Sequence, residues 1–216
     1  MKIANWNIQR LKHSKQLDSI RSSIEKQNAD IVILTEADTR LELSYPYRFE
    51  TEPLHQPYYK PTERRVIIHS VFPRVGKLET FNPQTACCPI LETSLGTVAI
   101  YGTIIGIYGN HISPFKEDLQ SQIIDWNQIT KEHQLCVAGD FNISFSDSYY
   151  FTHHGRNSLN ECFKANELMN LTSELPECID HIALSKSFAG GKSVKLNEWN
   201  MDKSLSDHKG VCVDLV

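Results

Sequence analysis

The chain predicts an α/β fold of two packed sheets flanked by helices, and three observations carry the prediction. Continuous apolar runs of strand length, Ile31-Val32-Ile33-Leu34 and Leu135-Cys136-Val137-Ala138, mark strands buried on both faces. Two segments with apolar residues at helical spacing stand among the strands. The order is strand–helix–strand, then several strands, then helix–strand and more strands, which suits two sheets with helices outside them.

Taken in order, residues 2–8 read as the first strand. Ser14 is placed to cap a helix whose inner face carries Leu17, Ile20 and Ile24. Residues 30–35 form the second strand and Glu36 follows at once. Residues 38–62 read as loop, because Pro46, Pro53, Pro57 and Pro61 break regular structure. Short strands are expected at 66–71, 74–78, 90–94 and 97–105, the last two joined through Ser94-Leu95-Gly96. Leu119, Ile123, Trp126 and Ile129 line one face of a helix over 115–132, and a strand ending at Gly139-Asp140 follows. A helix near 158–170 and strands at 178–184, 193–199 and 210–216 complete the pattern. No repeat, low-complexity tract or linker interrupts it, so one domain over residues 1–216 is expected.

Hydrophobic residues make up 40% and charged residues 22% of the 216, an ordinary balance for a globular protein with a substantial core. The formal net charge is −4, so affinity for nucleic acid has to come from a local basic patch or a metal. No apolar run has transmembrane length, and none follows the start of the chain as a secretory signal would, so a cytoplasmic protein is expected. Six cysteines, none in CxxC spacing, argue against a zinc site and read as reduced, mostly buried small residues; the adjacent Cys87-Cys88 leaves a redox role open.

The most informative feature is a set of five short motifs, each at the end of an apolar run: Asn5-Trp6-Asn7-Ile8, Thr35-Glu36-Ala37-Asp38, Gly139-Asp140-Phe141-Asn142, Ile179-Asp180-His181-Ile182 and Ser206-Asp207-His208. Strands distant in sequence thereby bring carboxylates, amides and an imidazole to one rim. Such oxygen donors suit a hard cation, and a histidine among them suits proton transfer near neutral pH. Alternation puts Asp140 and Asn142 on one side of an extended segment, although Asp-x-Asn alone is also a common turn former.

In this order the motifs resemble those of the endonuclease/exonuclease/phosphatase superfamily, the relatives of DNase I and exonuclease III, from Asn7 to His208. The resemblance implies a four-layer α/β sandwich with its site at one end of the two sheets. It implies that Asn7, Glu36 and Asp207 hold Mg²⁺ or Mn²⁺. Asp140 would orient the attacking water, Asn142 would donate to a phosphoryl oxygen, and Asp180 would pair with His208. Tyr101 falls on the strand where relatives place a phosphate-contacting tyrosine or histidine.

Two positions depart from that pattern. Gln9 stands where some relatives carry an acidic residue near the metal, and Thr103 stands where many carry a second histidine. His111 is a possible substitute for the latter, or a loop histidine. Arg64-Arg65 open the strand Val66–Ser70 and can grip a phosphate or lie exposed. His181 should alternate away from Asp180, as a structural residue or at the pocket edge. Lys186, Lys192, Lys195 and Lys203 are candidates for a basic rim, and Tyr149, Tyr150, Phe151, His153 and His154 for base stacking or loop packing.

The resulting expectation is a metal-dependent phosphoesterase, a nuclease first. Inositol phosphates, phospholipid headgroups and other small phosphoesters are the alternative substrates, and a non-catalytic binding module on the same fold is the rival class. Oligomeric state and the choice between DNA and RNA are not written in the motifs.

Overall fold

The computed structural model describes residues 1–54 and 58–216, and it stacks two six-stranded mixed sheets. Pro57, one of the expected breakers, lies outside the described residues.

The first sheet contains β1 (Lys2–Asn7), β2 (Ile31–Asp38), β3 (Tyr47–Glu50), β4 (Glu63–Ser70), β11 (Val194–Trp199) and β12 (Gly210–Leu215), in the order β11-β12-β1-β2-β4-β3. The second contains β5 (Arg74–Leu78), β6 (Ala86–Thr93), β7 (Gly96–Ile104), β8 (Leu135–Asp140), β9 (Leu168–Asn170) and β10 (Asp180–Ser185), in the order β5-β6-β7-β8-β10-β9. Each sheet has one parallel pair, β1 with β2 and β7 with β8, and each pair is joined by a crossover helix: α1 (Leu17–Glu25) and α2 (Ser113–Ile129). Two further helices are α3 (His153–Ala165) and the short α4 (Lys186–Ala189). Among the described residues no helix is long and apolar enough to cross a membrane.

Side-chain alternation sorts the core into three layers. Ile3, Ile31, Ile33, Val66 and Ile68 meet Ile100, Cys136, Ala138, Ile182 and Leu184 between the sheets. On the outer face of the first sheet Ala4, Trp6, Val32 and Leu34 pack under Ile20 and Ile24 of α1. Tyr101, Val137 and Ala183 of the second sheet pack under Leu119, Ile123 and Trp126 of α2 and Leu159 and Phe163 of α3. Helix, sheet, sheet and helix therefore make four layers, as expected.

The differences from the sequence reading concern short or capped elements. The segment read as loop over 38–62 contains β3, an edge strand that needs only β4 as partner. The helix expected at 158–170 starts at His153, because Thr152 accepts a cap bond from Gly155 N–H at 3.1 Å, and it stops at Ala165 before β9. Ser14 does not cap α1; a 3-10 turn over Ser14–Gln16 leads into that helix without a side-chain cap.

All six cysteines are buried and unpaired. Burial pushes the Cys87 thiol up to about 12 and raises its neighbour Cys88 as well, which removes the thiolate that a redox pair would need.

Candidate active site

The C-terminal ends of the two parallel pairs deliver the first polar groups. Asn7 closes β1, and its Nδ2 donates to Asp140 Oδ2 at the end of β8 (3.1 Å) and reaches Glu36 Oε1 on β2 at 3.4 Å. Asn7 Oδ1 accepts from the Gln9 N–H at 2.9 Å, which fixes the amide's orientation. One carboxamide thus links a carboxylate from each sheet. Behind it, Asn5 Nδ2 donates to the Gly139 carbonyl of the other sheet at 3.0 Å.

Glu36 occupies a strained position. Its φ is +41°, and the β2–β4 ladder pairs Thr35 with Val66 and Ala37 with Arg64 while skipping the step between them. Holding a non-glycine residue there costs about 1–3 kcal/mol, a cost met at sites that must aim a side chain. The Glu36 side chain is 39% exposed, with Arg10 Nε 3.5 Å from Oε2. Arg10 itself belongs to a run of three left-handed residues, Gln9, Arg10 and Leu11.

The second sheet supplies a drier cluster. Asp180 is the cross-strand neighbour of Asp140, and both are buried. His208 Nδ1 donates to Asp180 Oδ2 at 2.6 Å. The His208 loop is anchored from behind: Ser206 Oγ donates to the Asn7 carbonyl (2.6 Å) and accepts from His208 N–H (3.2 Å), while Trp6 Nε1 and Asn200 Nδ2 both donate to the His208 carbonyl.

Burial pushes the Asp140 carboxyl up, and the Asp180 charge adds to it. The opposing pull of His208 and the hydrogen bonds from Asn142 and Asn7 leave it at about 7. Burial works against a charged His208, but the charge and hydrogen bond of Asp180, with Asp140 and Asp207 beyond, carry it up to about 10. The cluster thus favours the charged form of the imidazole and disfavours that of the Asp140 carboxyl.

The remaining candidates fall in varied places. Asp207 is exposed, and its Oδ1 lies 3.7 Å from His208 Nε2; its N–H donates to Gln9 Oε1. Gln9, read as a departure from an acidic residue, thus ties the His208 loop to β1. Asn142 follows Asp140 with φ +52°, so the extended alternation expected of it is broken. Its N–H caps Asp140 Oδ1 at 2.9 Å, and its Nδ2 turns inward to the Ile105 carbonyl at 3.0 Å. The amide donor expected to meet a phosphoryl oxygen is committed to backbone.

Tyr101 is corrected as well. It is fully buried on the outer face of the second sheet, packed edge-on against Trp126 with its hydroxyl on Asp125 Oδ2 at 2.7 Å, among the side chains under α2 rather than in the cluster. Thr103 is buried and donates to Gln122 Oε1, a structural bond at the place where a second histidine was sought. His111 lies exposed on a loop against the Tyr150 ring. His181 is enclosed, its Nε2 bonded to the Ile143 carbonyl at 2.9 Å and its Nδ1 2.9 Å from Thr172 Oγ1; burial pushes it down to about 4, so it is a neutral core residue. Arg65 is buried and bonded to Thr85, whereas Arg64 pairs with Glu50. Of the late lysines, Lys203 lines the cavity at His208 together with Tyr149, whose hydroxyl it meets at 3.0 Å. Phe151 packs under the Arg156 guanidinium.

Asn200 and Arg10 lie outside the motifs, and Trp6, though inside one, carries no sequence signal of its bond to the His208 carbonyl. Ser206 carried a signal, a serine at a turn before Asp-His, but nothing in sequence points from Asn200 to a carbonyl several residues on.

The donor set bears on a cation. Among the described residues no three His, Cys, Asp or Glu side chains converge as a ready cage, and Asp207 makes its contact with the imidazole. Glu36, by contrast, is half-exposed, lines two cavities and has the Asn7 amide beside it. The Glu36 carboxylate facing open space fits a hydrated hard cation such as Mg²⁺ held by one protein oxygen group, whereas Asn7 presents Nδ2 to Glu36 and commits its Oδ1 to the Gln9 N–H.

Comparison with known proteins agrees with this frame. The sequence model of the Endonuclease/Exonuclease/phosphatase family matches residues 4–208, and the chain belongs to that family. No curated protein sequence matches significantly. Among solved structures, an AP endonuclease from Archaeoglobus fulgidus superposes with a TM-score of 0.74 at 11% identity, covering 100% of this chain and 99% of that one. An endonuclease/exonuclease/phosphatase from Beutenbergia cavernae DSM 12333 gives 0.72 at 17% identity, covering 100% and 71%. A beta toxin mutant from Staphylococcus aureus with bound magnesium ions gives 0.67 at 16% identity, covering 100% and 99%. At these identities the likeness is one of fold.

Proposed function

We propose that the protein is a divalent-metal-dependent phosphodiesterase acting on nucleic acid. The observation that carries this reading is the Asp140–Asp180–His208 cluster, tied through Asn7 to the half-exposed Glu36. The family match and the AP endonuclease neighbour support a phosphoester substrate of that kind.

A Mg²⁺ or Mn²⁺ held by Glu36 beside Asn7 would supply neutralisation of phosphoryl charge. Asp207, expected as a third ligand, instead balances His208. Asp140, with its pKa near neutrality, takes a proton from the attacking water, whose oxygen bonds to phosphorus as the bond to the leaving oxygen breaks. His208 presents Nε2–H to the cavity it shares with Tyr149 and Lys203, and donates to the phosphoryl group or the departing oxygen. Asp180 keeps the imidazole oriented and charged; Asn142 holds Asp140 and the backbone after it.

The test is Mg²⁺-dependent cleavage of labelled single- and double-stranded DNA and RNA, beside EDTA and His208→Ala controls. Cleavage lost in both controls is the expected result and identifies the polymer. Hydrolysis of bis(p-nitrophenyl) phosphate without cleavage of any polymer would shift the substrate to small phosphoesters. Turnover retained by His208→Ala would overturn the mechanism.

A further inference from the structure

We infer that Arg65 forms a second anion site beside the reaction centre, which binds a phosphate group of the substrate other than the one being hydrolysed. This rests on the phosphoesterase reading above and adds to it a determinant of substrate choice.

Arg65 is a buried cation without a counter-ion. The residue is 6% exposed, and among the described residues no carboxylate lies within ion-pairing distance of its guanidinium. Nη1 donates to Thr85 Oγ1 at 2.6 Å, whereas Nε is buried with no hydrogen-bond partner among the described residues. Asp118, whose field does reach Arg65, is engaged by the Gly106 N–H at 2.6 Å and by Gln122 Nε2 at 3.1 Å. An uncompensated guanidinium is costly in a protein interior, and a phosphate in the cavity that Arg65 lines relieves that cost.

The placement gives the site its relation to the reaction. Arg65 lies on β4 at the step the ladder skips, directly across from Glu36. Both line one cavity of about 190 Å³, with Arg10, Arg64, Tyr59 and Tyr108 around them. Arg10 is partnered by Glu36 and Glu63, and Arg64 by Glu50, so Arg65 is the arginine in that wall left to an incoming anion. It also lines a neighbouring cavity of about 270 Å³ that reaches Phe115 and Asp118. The Glu36 carboxylate repels an anion unless Arg10 or a cation neutralises it. Occupancy of the Arg65 site is thereby linked to the state of Glu36.

Two measurements test this. In EDTA, where no turnover occurs, the Arg65 Nε–H resonance of ¹⁵N-arginine-labelled protein, assigned by its loss in Arg65→Lys, is followed during titration with inorganic phosphate. A saturable shift is expected; phosphate that moves the His208 resonances and leaves Arg65 unmoved overturns the proposal. In Mg²⁺, KM is compared for a dinucleotide, the same dinucleotide ending in a monophosphate, and one extended by an internal phosphodiester. An added phosphate should lower KM roughly tenfold, the scale of one charge-assisted contact. Arg65→Gln should erase that difference and Arg65→Lys keep part of it, and the substrate that gains shows whether the bound group is terminal or internal. A wild-type enzyme indifferent to both added phosphates would overturn the proposal. A protein that cleaves nothing would sink the enzymatic reading, and the resonance titration would still decide the anion site.

Discussion

The two sheets use one device with opposite results. In each, a parallel pair joined by a crossover helix brings a carboxylate to the same rim, Glu36 from β2 and Asp140 from β8. The Glu36 side chain is 39% exposed, bordered by cavities and by the half-exposed Arg10. Asp140 is 3% exposed and is held by the Asn142 N–H and Asn7 amide beside an imidazolium. Identical topology does not dictate electrostatics; the residues that close over each strand end do. One carboxylate is left open to solvent, and the other is enclosed among hydrogen bonds.

The sharpest way to break that comparison is at the dry end. If the proposed function holds, His208→Ala should lower kcat/KM about 10²–10⁴-fold on the phosphoester substrate, as measured in steady state. Asp140→Asn should cost a comparable or smaller factor and also change the shape of the pH profile. Wild type should follow a bell, rising as Asp140 loses its proton near pH 7 and falling as His208 loses its own near pH 10; the variant should lack the acid limb. The same substitution has a stability signature. Asp140 is raised from 3.8 to about 7, so its contribution is full below about pH 4 and is lost as pH rises through 7. Urea titrations should show that decline in wild type and a flatter curve in Asp140→Asn.

At the open end the effect should be on metal and not on folding. Glu36→Gln should raise the Mg²⁺ concentration for half-maximal activity, while unfolding free energy shifts by no more than ~0.5 kcal/mol, as for exposed sites. An unchanged Mg²⁺ requirement would remove Glu36 from the metal site. Ser206→Ala tests the strut between the two ends. Loss of its bonds to Asn7 and His208 should destabilise the protein by about 1 kcal/mol and lower kcat by a smaller factor than His208→Ala, with KM little changed.

Much of this was legible because strand ends announce themselves. A polar residue closing an apolar run has the rim to occupy, and position together with the family resemblance singled out Asn7, Glu36, Asp140 and Asp180, which lie side by side in the fold. Asn142 was misread because a left-handed φ after Asp140 cancels the alternation on which the reading relied. Tyr101 was misread for a tertiary reason: which face of β7 looks to α2 is decided by helix packing, and a motif match does not carry that information. β3 and β9 are too short for periodicity to reveal, and they exist because a neighbouring edge was free to pair. The burial of Arg65 was similarly invisible, since two adjacent arginines of one strand take different surroundings.

Gly139 sets the stage for all of this by what it lacks. Its φ is +151°, and a β-carbon there would sit 1.8 Å from the Thr103 carbonyl oxygen, inside the β7–β8 pair, while its own carbonyl receives the Asn5 amide from the other sheet. Asp140 is the next residue. The approach of β8 to β7 is therefore set by a missing methyl group, and adding one would wedge those two strands apart and shift Asp140 against Asn7 without altering a single ionisable group.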